Sequence, residues 1–417
     1  MIPLNGIATA STISRPLDRN LWLITSQAID QAPADPPQTS RAYLVAENEQ
    51  PPKGFGLYLT DSTQLALPEG LPAIRLPASL GYLTAGDVIR VSPDGRHIRV
   101  LWRHRSSQNS VLLTERCDNY CLMCSQPPRT RDDAWLLDEA HELLRLLPAA
   151  TGDICFTGGE PALYGNDFVD LLRHCTRRLP DTEVHVLSNG RRFTDAAFAD
   201  EYATINNPKL MIGIPIYGTE SGLHDYIVQA PGAFNDTIRG ILNLAERSQR
   251  VEIRVVLQKH TAPSIIRIAE FIARNLPFVD QVALMGLEPV GFARSNLPEV
   301  WIDPIDYQED LADAALLLAG SGIRTFIYNH QLCVLDKRAW TFAVKSISDW
   351  KNEHDPICET CAALEACGGF FHSAQLIASS GIHALDLEDA RHLTRSSTDS
   401  GRPSIWRAGI ESKRVTR

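Results

Sequence analysis

The sequence predicts an α/β protein built on a partial (β/α)6 barrel. A small β domain precedes the barrel and a cysteine-rich extension follows it. Three observations predict this class. From residue 111, apolar strand segments recur six times, with helical patterns between most of them. Residues 1–105 instead carry short apolar runs broken by prolines. Seven of the nine cysteines fall into two groups far apart in the chain.

Within residues 1–105 the runs Leu21–Ile24, Arg41–Val45 and Phe55–Leu59 read as strands. The segment GDVIRVSPDGRHIRVLW reads as a hairpin turning at Pro93-Asp94-Gly95. This is a small β domain, with a barrel as its candidate closed form. Residues 106–305 hold the strands VLLTERC, DICFTGG, EVHVLSNG, LMIGIPIY, VEIRVVL and QVALMGLE. Between them, residues 136–147, 167–179, 234–248 and 263–275 carry apolar residues at helical spacing. Six strand–helix units suit a partial barrel, whose chemistry belongs at the C-terminal strand ends. The extension, residues 306–380, begins with a helix over 306–320 and a strand over 323–329. The polar, basic tail 381–417 reads as mostly disordered.

Composition narrows the function. A net charge of -10 and a pI near 5.7 argue against broad phosphate-backbone binding, so nucleic acid is not the expected partner. No apolar run reaches 18 residues, so no membrane span is expected. The N-terminus has neither a basic nor an apolar signal region, so no signal peptide is expected. Clustered cysteines in such a chain point to metal or redox chemistry in a reducing cytoplasm.

The stretch RCDNYCLMCSQPP places Cys117, Cys121 and Cys124 as CxxxCxxC just past the first barrel strand. Three thiolates without a fourth leave one coordination position open. The spacing alone suits zinc or a 4Fe–4S cube with one free iron. The second strand then ends in TGGEP: Gly158 and Gly159 allow close backbone approach, and Glu160 offers a carboxylate to a cationic group.

Together these motifs resemble the radical S-adenosylmethionine (radical SAM) superfamily over about residues 111–290. The resemblance implies a SAM-binding 4Fe–4S cluster on Cys117, Cys121 and Cys124. It implies SAM contacts from Gly158, Gly159 and Glu160, from Ser188 and Asn189 in LSNG, and from Tyr217 at the end of IPIY. It offers Arg254 as a partner of the SAM carboxylate, with a solvated strand arginine as the alternative, and places 284–289 against adenine. Met123 stands where family members most often carry an aromatic residue. The implied chemistry is reductive cleavage of SAM to a 5′-deoxyadenosyl radical that abstracts hydrogen from a C–H bond.

Cys333, Cys358, Cys361 and Cys367 form C-x24-CxxCxxxxxC. The bare spacing suits zinc or a fully ligated cluster. It resembles the auxiliary-cluster extensions of peptide-modifying radical SAM enzymes, which implies one auxiliary 4Fe–4S cluster. Cys155 and Cys175 read as small buried hydrophobes. His104, His260 and His330 lie near strand ends and read as ordinary polar residues.

The segments ERCDNYCLMCSQPPR, AVKSISDWKN and CGGFF also resemble the C-type maturase of the His-Xaa-Ser system. That resemblance implies a ribosomally made precursor peptide with His-Xaa-Ser repeats as substrate. It also implies a second radical SAM maturase, a small D-type protein and a reductant such as flavodoxin or ferredoxin as partners. The rival readings are a radical SAM enzyme acting on RNA or a small molecule, and an inactive cluster-bearing subunit. The acidic charge disfavours RNA, and an intact triad with GGEP disfavours an inactive subunit.

Overall fold

The computed structural model describes residues 3–26, 37–46, 51–61, 70–106, 108–345 and 353–389. Residues 346–352 of AVKSISDWKN and the tail from residue 390 lie outside the described residues.

The N-terminal domain is one eight-stranded sheet of β1 (Asn5–Ile7), β2 (Ala10–Ser11), β3 (Leu21–Thr25), β4 (Arg41–Leu44), β5 (Leu57–Thr60), β6 (Ala73–Arg75), β7 (Val88–Val91) and β8 (His97–Trp102). Its order is β1-β8-β7-β3-β4-β5-β6-β2. The two end strands are therefore consecutive in sequence. Ala8 N–H donates to Arg96 O beside β8, and the next residue, Thr9, donates to Arg75 O beside β6. One short segment thus joins both edges, and the sheet closes as a barrel around Trp22, Ile24, Leu57, Leu59, Ile74 and Ile89. The β7–β8 hairpin forms as the sequence predicts, with Gly95 at φ +73° in its turn.

The larger domain is a seven-stranded parallel sheet of β9 (Ser110–Leu112), β10 (Asp153–Thr157), β11 (Glu183–Leu187), β12 (Leu210–Pro215), β13 (Arg250–Leu257), β14 (Gln281–Gly286) and β15 (Arg324–Tyr328), paired in sequence order. Such order, with a helix in most crossovers, curls the sheet into the expected partial barrel. The helices are α1 (Trp135–Leu146), α2 (Asn166–Arg178), α3 (Ala196–Ala203), α4 (Ser221–Val228), α5 (Ala233–Glu246), α6 (Ile265–Asn275), the short α7 (Phe292–Ser295) and α8 (Leu297–Val300), and α9 (Gln308–Gly320). On α6, Ile265, Ile268, Ala269 and Ile272 recur at i, i+3, i+4 and i+7, and all are buried. They share one core with alternate strand residues such as Ile154, Phe156, Val184, Val186, Ile253 and Val255.

Two boundaries move. β15, assigned to the extension by sequence, pairs in parallel with β14 and is the seventh strand of the sheet. Residues 381–389, assigned to the tail, lie against the extension: Ala362 N–H donates to Leu385 O, and Leu385 is buried. The N-terminal barrel is fastened to α1. Leu21, Val88 and Trp102 join the large core, Arg90 pairs with Glu139 at 3.1 Å, and its guanidinium sits 4.4 Å from the Trp135 ring centroid. Among the described residues no helix is long and apolar enough to cross a membrane.

His330, at the exit of β15, is a satisfied core residue. Its Nδ1 bonds Tyr328 O at 2.9 Å, so that nitrogen carries the proton, and Nε2 accepts from the Tyr307 hydroxyl at 2.9 Å. Burial lowers its pKa to about 4, against the opposing pull of the Tyr328 carbonyl. The folded pKa is depressed, so below 6.5 the unfolded chain takes a proton that the fold refuses. Stability attributable to this ring is intact at pH 7 and is lost progressively as pH falls from 6.5 toward 4. The loss should reach about 2 kcal/mol by pH 5. Urea unfolding at pH 7 and pH 5 should show a smaller difference for His330→Gln than for wild type. An identical pH dependence would reject the assignment.

Candidate active site

The three cysteines lie on the loop after β9, and that loop rests on the end of β10. Gly159 N–H donates to Thr114 O at 2.8 Å, and Glu160 N–H donates to Arg116 O at 2.7 Å. The approach is so close that only glycine fits. A Cβ on Gly159 would stand 2.1 Å from Arg116 O, and one on Gly158 would stand 2.6 Å from Thr114 O. The two glycines therefore receive the cysteine loop itself, a role that spacing did not disclose.

Asp133 fixes the root of the loop. Its carboxylate accepts from Thr114 Oγ1 at 3.0 Å, Glu115 N–H, Arg116 Nε at 3.1 Å and Tyr164 Oη at 3.1 Å. Arg191 holds the far side, donating to Asp118 O and Asn119 Oδ1, both at 3.0 Å, and pairing with Asp236. Neither Asp133 nor Arg191 stands out in the sequence, because their partners lie 17 or more residues away.

The buried Glu160 carboxylate ties β10 to β11. It accepts from Ala162 N–H at 2.9 Å, Ser188 Oγ at 2.8 Å and Asn189 N–H at 2.5 Å. Burial raises its pKa to about 7, against these three bonds. Asn189 Nδ2 in turn donates to Asp118 Oδ1 on the cysteine loop. Glu160, Ser188, Asn189 and Asp118 thus form one connected set beside Cys117.

Burial pushes the Cys117 thiol up to about 12; the Asn119 N–H opposes this, and Glu160 and Asp118 add to it. Cys121 is raised by burial and then by Cys124 and Cys117, and Cys124 is raised by burial. Three half-buried thiols with two carboxylates nearby resist ionisation unless a cation joins them. That donor set suits a cationic metal centre, which makes coordinating thiolates favourable. Met123 is buried with Tyr217, Ile227, Val228 and Ala233, and Cys121 packs on the same cluster, so a thioether fills the place next to Cys124. The Tyr217 ring lies 5.8 Å from that of His224, whose Nδ1 accepts from Tyr217 N–H at 3.3 Å.

Arg254 corrects one expectation, since it is not solvated. It faces the barrel lumen, donates to Glu252 Oε1 at 2.8 Å and lies 3.0 Å from Met285 Sδ. Glu252 also holds Gln281 and lies 3.5 Å from His185 Nε2. Cys175 is core, as expected, whereas Cys155 alternates with core residues Ile154 and Phe156 and so faces the lumen. His260 pairs with Glu299 at 2.8 Å, and His104 N–H donates to Asp87.

In the extension, Cys333, Cys358, Cys361 and Cys367 line one small cavity, together with His354 and His383, which sequence reading did not single out. Leu385 N–H points at Cys361 Sγ at 3.4 Å, and Gly369 N–H at Cys367 Sγ at 3.5 Å. Burial raises Cys333 and Cys358 above the ordinary thiol range.

The clasp between loop and strand end is testable. Gly159→Ala should lower stability by about 1–3 kcal/mol, since the added methyl meets rigid backbone, and should reduce iron retained after reconstitution. Gly152→Ala, with open space around its Cβ, should change stability by less than about 0.5 kcal/mol. Iron analysis and urea unfolding read both variants; equal behaviour of the two would reject the clasp.

Residues 111–272, within the α/β partial barrel, match the model of the Radical SAM superfamily. No curated protein matches the chain in sequence. Among solved structures, Streptococcus suis SuiB bound to precursor peptide SuiA is 15% identical with a TM-score of 0.41, over 54% of this chain and 48% of that one. This chain therefore spans about half the length of that SuiB structure. Native anSMEcpe with bound AdoMet is 13% identical with a TM-score of 0.47, over 69% and 95% of the two chains. A radical SAM methyltransferase from Sphaerobacter thermophilus is 17% identical with a TM-score of 0.39, over 60% and 75%.

Proposed function

We propose that this protein is a radical SAM enzyme that modifies a ribosomally made peptide. The observation that carries the chemistry is the seating of the Cys117–Cys124 loop on the Gly158–Gly159 turn, with Glu160 beside Cys117. Cys117, Cys121 and Cys124 would hold a 4Fe–4S cluster, which supplies the electron that cleaves SAM to methionine and a 5′-deoxyadenosyl radical. The chain's own residues bind and orient. Glu160, anchored by Ala162, Ser188 and Asn189, presents negative charge where the SAM ammonium would lie. Tyr217 and Met123 form the apolar wall next to Cys121. Arg254, balanced by Glu252, is a lumen cation within reach of a carboxylate in this reading.

Cys333, Cys358, Cys361 and Cys367 would hold an auxiliary 4Fe–4S cluster. The four cysteines line one cavity, and their CxxCxxxxxC spacing resembles the auxiliary-cluster extensions of peptide-modifying radical SAM enzymes, which supports the cluster over zinc. The peptide substrate, with His-Xaa-Ser repeats, rests on the resemblance of ERCDNYCLMCSQPPR and CGGFF to the C-type maturase. A second radical SAM maturase, a D-type protein and a flavodoxin- or ferredoxin-like reductant complete that reading, in the cytoplasm.

Anaerobically reconstituted wild type should carry about eight irons, and replacing Cys117, Cys121 and Cys124 by Ala should leave about four. The triple variant should form no 5′-deoxyadenosine; if it does, the site is misassigned. A colourless triple variant with one zinc would replace the auxiliary cluster by a structural metal. Glu160→Gln should weaken SAM binding by about 1.5–3 kcal/mol at unchanged iron content, measured by calorimetry.

A further inference from the structure

We infer that the cleft between the N-terminal barrel and the edge strand β9 binds an extended, acidic peptide segment, laid against β9 as an added strand. The inference rests on the peptide reading above and names where a part of the substrate away from the modified residue is held.

The cleft has a volume of about 210 Å³, and its walls include Asn5, Arg99, Arg103, Ser110, Leu112 and Glu139. Across Asn5 and Arg99 it continues into a second hollow of about 480 Å³ that adds Arg90 and His97. One wall is an open sheet edge. β9 ends the seven-stranded sheet and, among the described residues, pairs with β10 alone. Asn109 O accepts from Cys155 N–H, and Leu113 N–H donates to Thr157 O, so the odd-numbered residues face β10. By strand alternation, Ser110 and Leu112 turn their N–H and C=O groups toward the cleft. Ser110 is exposed. An edge of this kind is a template for an incoming strand.

The other wall is positive. Arg99, opposite Asn5 in register, is a second guanidinium acting on Glu139 beside Arg90. Arg103 lies 5.5 Å from the Tyr82 ring centroid. Glu139, the acid among the lining residues, is taken by Arg90 at 3.1 Å. In a chain of net charge -10 this is a local excess of positive charge, suited to carboxylates spaced along a strand. The free backbone edge favours peptide over nucleic acid, which has no matching strand hydrogen bonds.

Position gives the cleft its use. Leu112 is five residues before Cys117, so the bound segment lies within about 16 Å of the cysteine loop along the strand direction. A peptide continuing past β9 reaches the barrel mouth.

The test uses reconstituted full-length protein and a displayed library of random peptides of about twelve residues. Enriched peptides should carry Asp or Glu at alternating positions. They should lose about tenfold or more in affinity to Arg99→Glu, and less to Arg99→Gln. Amide exchange at Ser110 and Leu112 should slow when an enriched peptide binds. No enrichment, enrichment without acids, equal affinity for Arg99→Glu, or no slowing at these amides would overturn the inference. Displacement of the peptide by a single-stranded oligonucleotide at the same edge would assign the cleft to nucleic acid instead. 5′-deoxyadenosine formation is followed in parallel and should be unchanged in Arg99→Glu, whose side chain lies outside the cysteine and Glu160 sets. Peptide binding without any 5′-deoxyadenosine from wild type would sink the radical SAM reading alone. The reverse pattern would sink the cleft alone.

Discussion

Two backbone hydrogen bonds, Gly159 N–H to Thr114 O and Glu160 N–H to Arg116 O, set the position of everything at the mouth of the barrel. They extend the β9–β10 pairing past the strand ends and draw the cysteine loop onto the next strand's exit. The geometry leaves no room for a Cβ at residue 158 or 159. The same turn points Glu160 inward, where Ala162, Ser188 and Asn189 saturate its carboxylate and β11 is drawn in. The loop, the acid and the third strand end are thus one mechanical unit. Asp133 and Arg191 clamp it from two sides.

That unit brings like-signed groups together. Glu160 and Asp118 lie near Cys117, and the three thiols sit in partial burial that disfavours thiolate. Such an arrangement is poorly suited to an isolated protein and well suited to one that receives a metal centre and a cationic cosubstrate. The Glu160 pKa near 7 reports the same imbalance from the carboxylate side: burial opposes its charge, and only local donors offset part of the cost. Deeper in the lumen the charges are balanced, with Arg254 paired to Glu252.

Two further units flank this site. The N-terminal barrel closes because consecutive residues Ala8 and Thr9 bond to opposite sheet edges, and it sits on α1 through Arg90, Trp135 and Glu139. Its placement beside β9 turns an ordinary sheet edge into one wall of a cleft. The extension hangs from β15 through His330 and Leu332, and residues 381–389 fold back over its cysteines through Leu385. Asp303 anchors the approach to that return, accepting from Ser380 N–H and Oγ at 2.8 Å.

The sequence by itself determined the strand–helix alternation, the amphipathic helices and both cysteine groups, because period and spacing are local properties of the chain. It determined the β7–β8 hairpin for the same reason: Pro93-Asp94-Gly95 carries its own turn geometry. The TGGEP glycines stood out, but their use did not, since the Thr114 and Arg116 carbonyls that exclude a Cβ come from another strand. Only the tertiary structure made β15 part of the barrel, because strand order depends on which edge is free when the strand arrives. Only it closed the N-terminal sheet and gathered His354 and His383 around the second cysteine group. Those outcomes rest on contacts between distant segments, and no local pattern encodes which distant segment a side chain will meet.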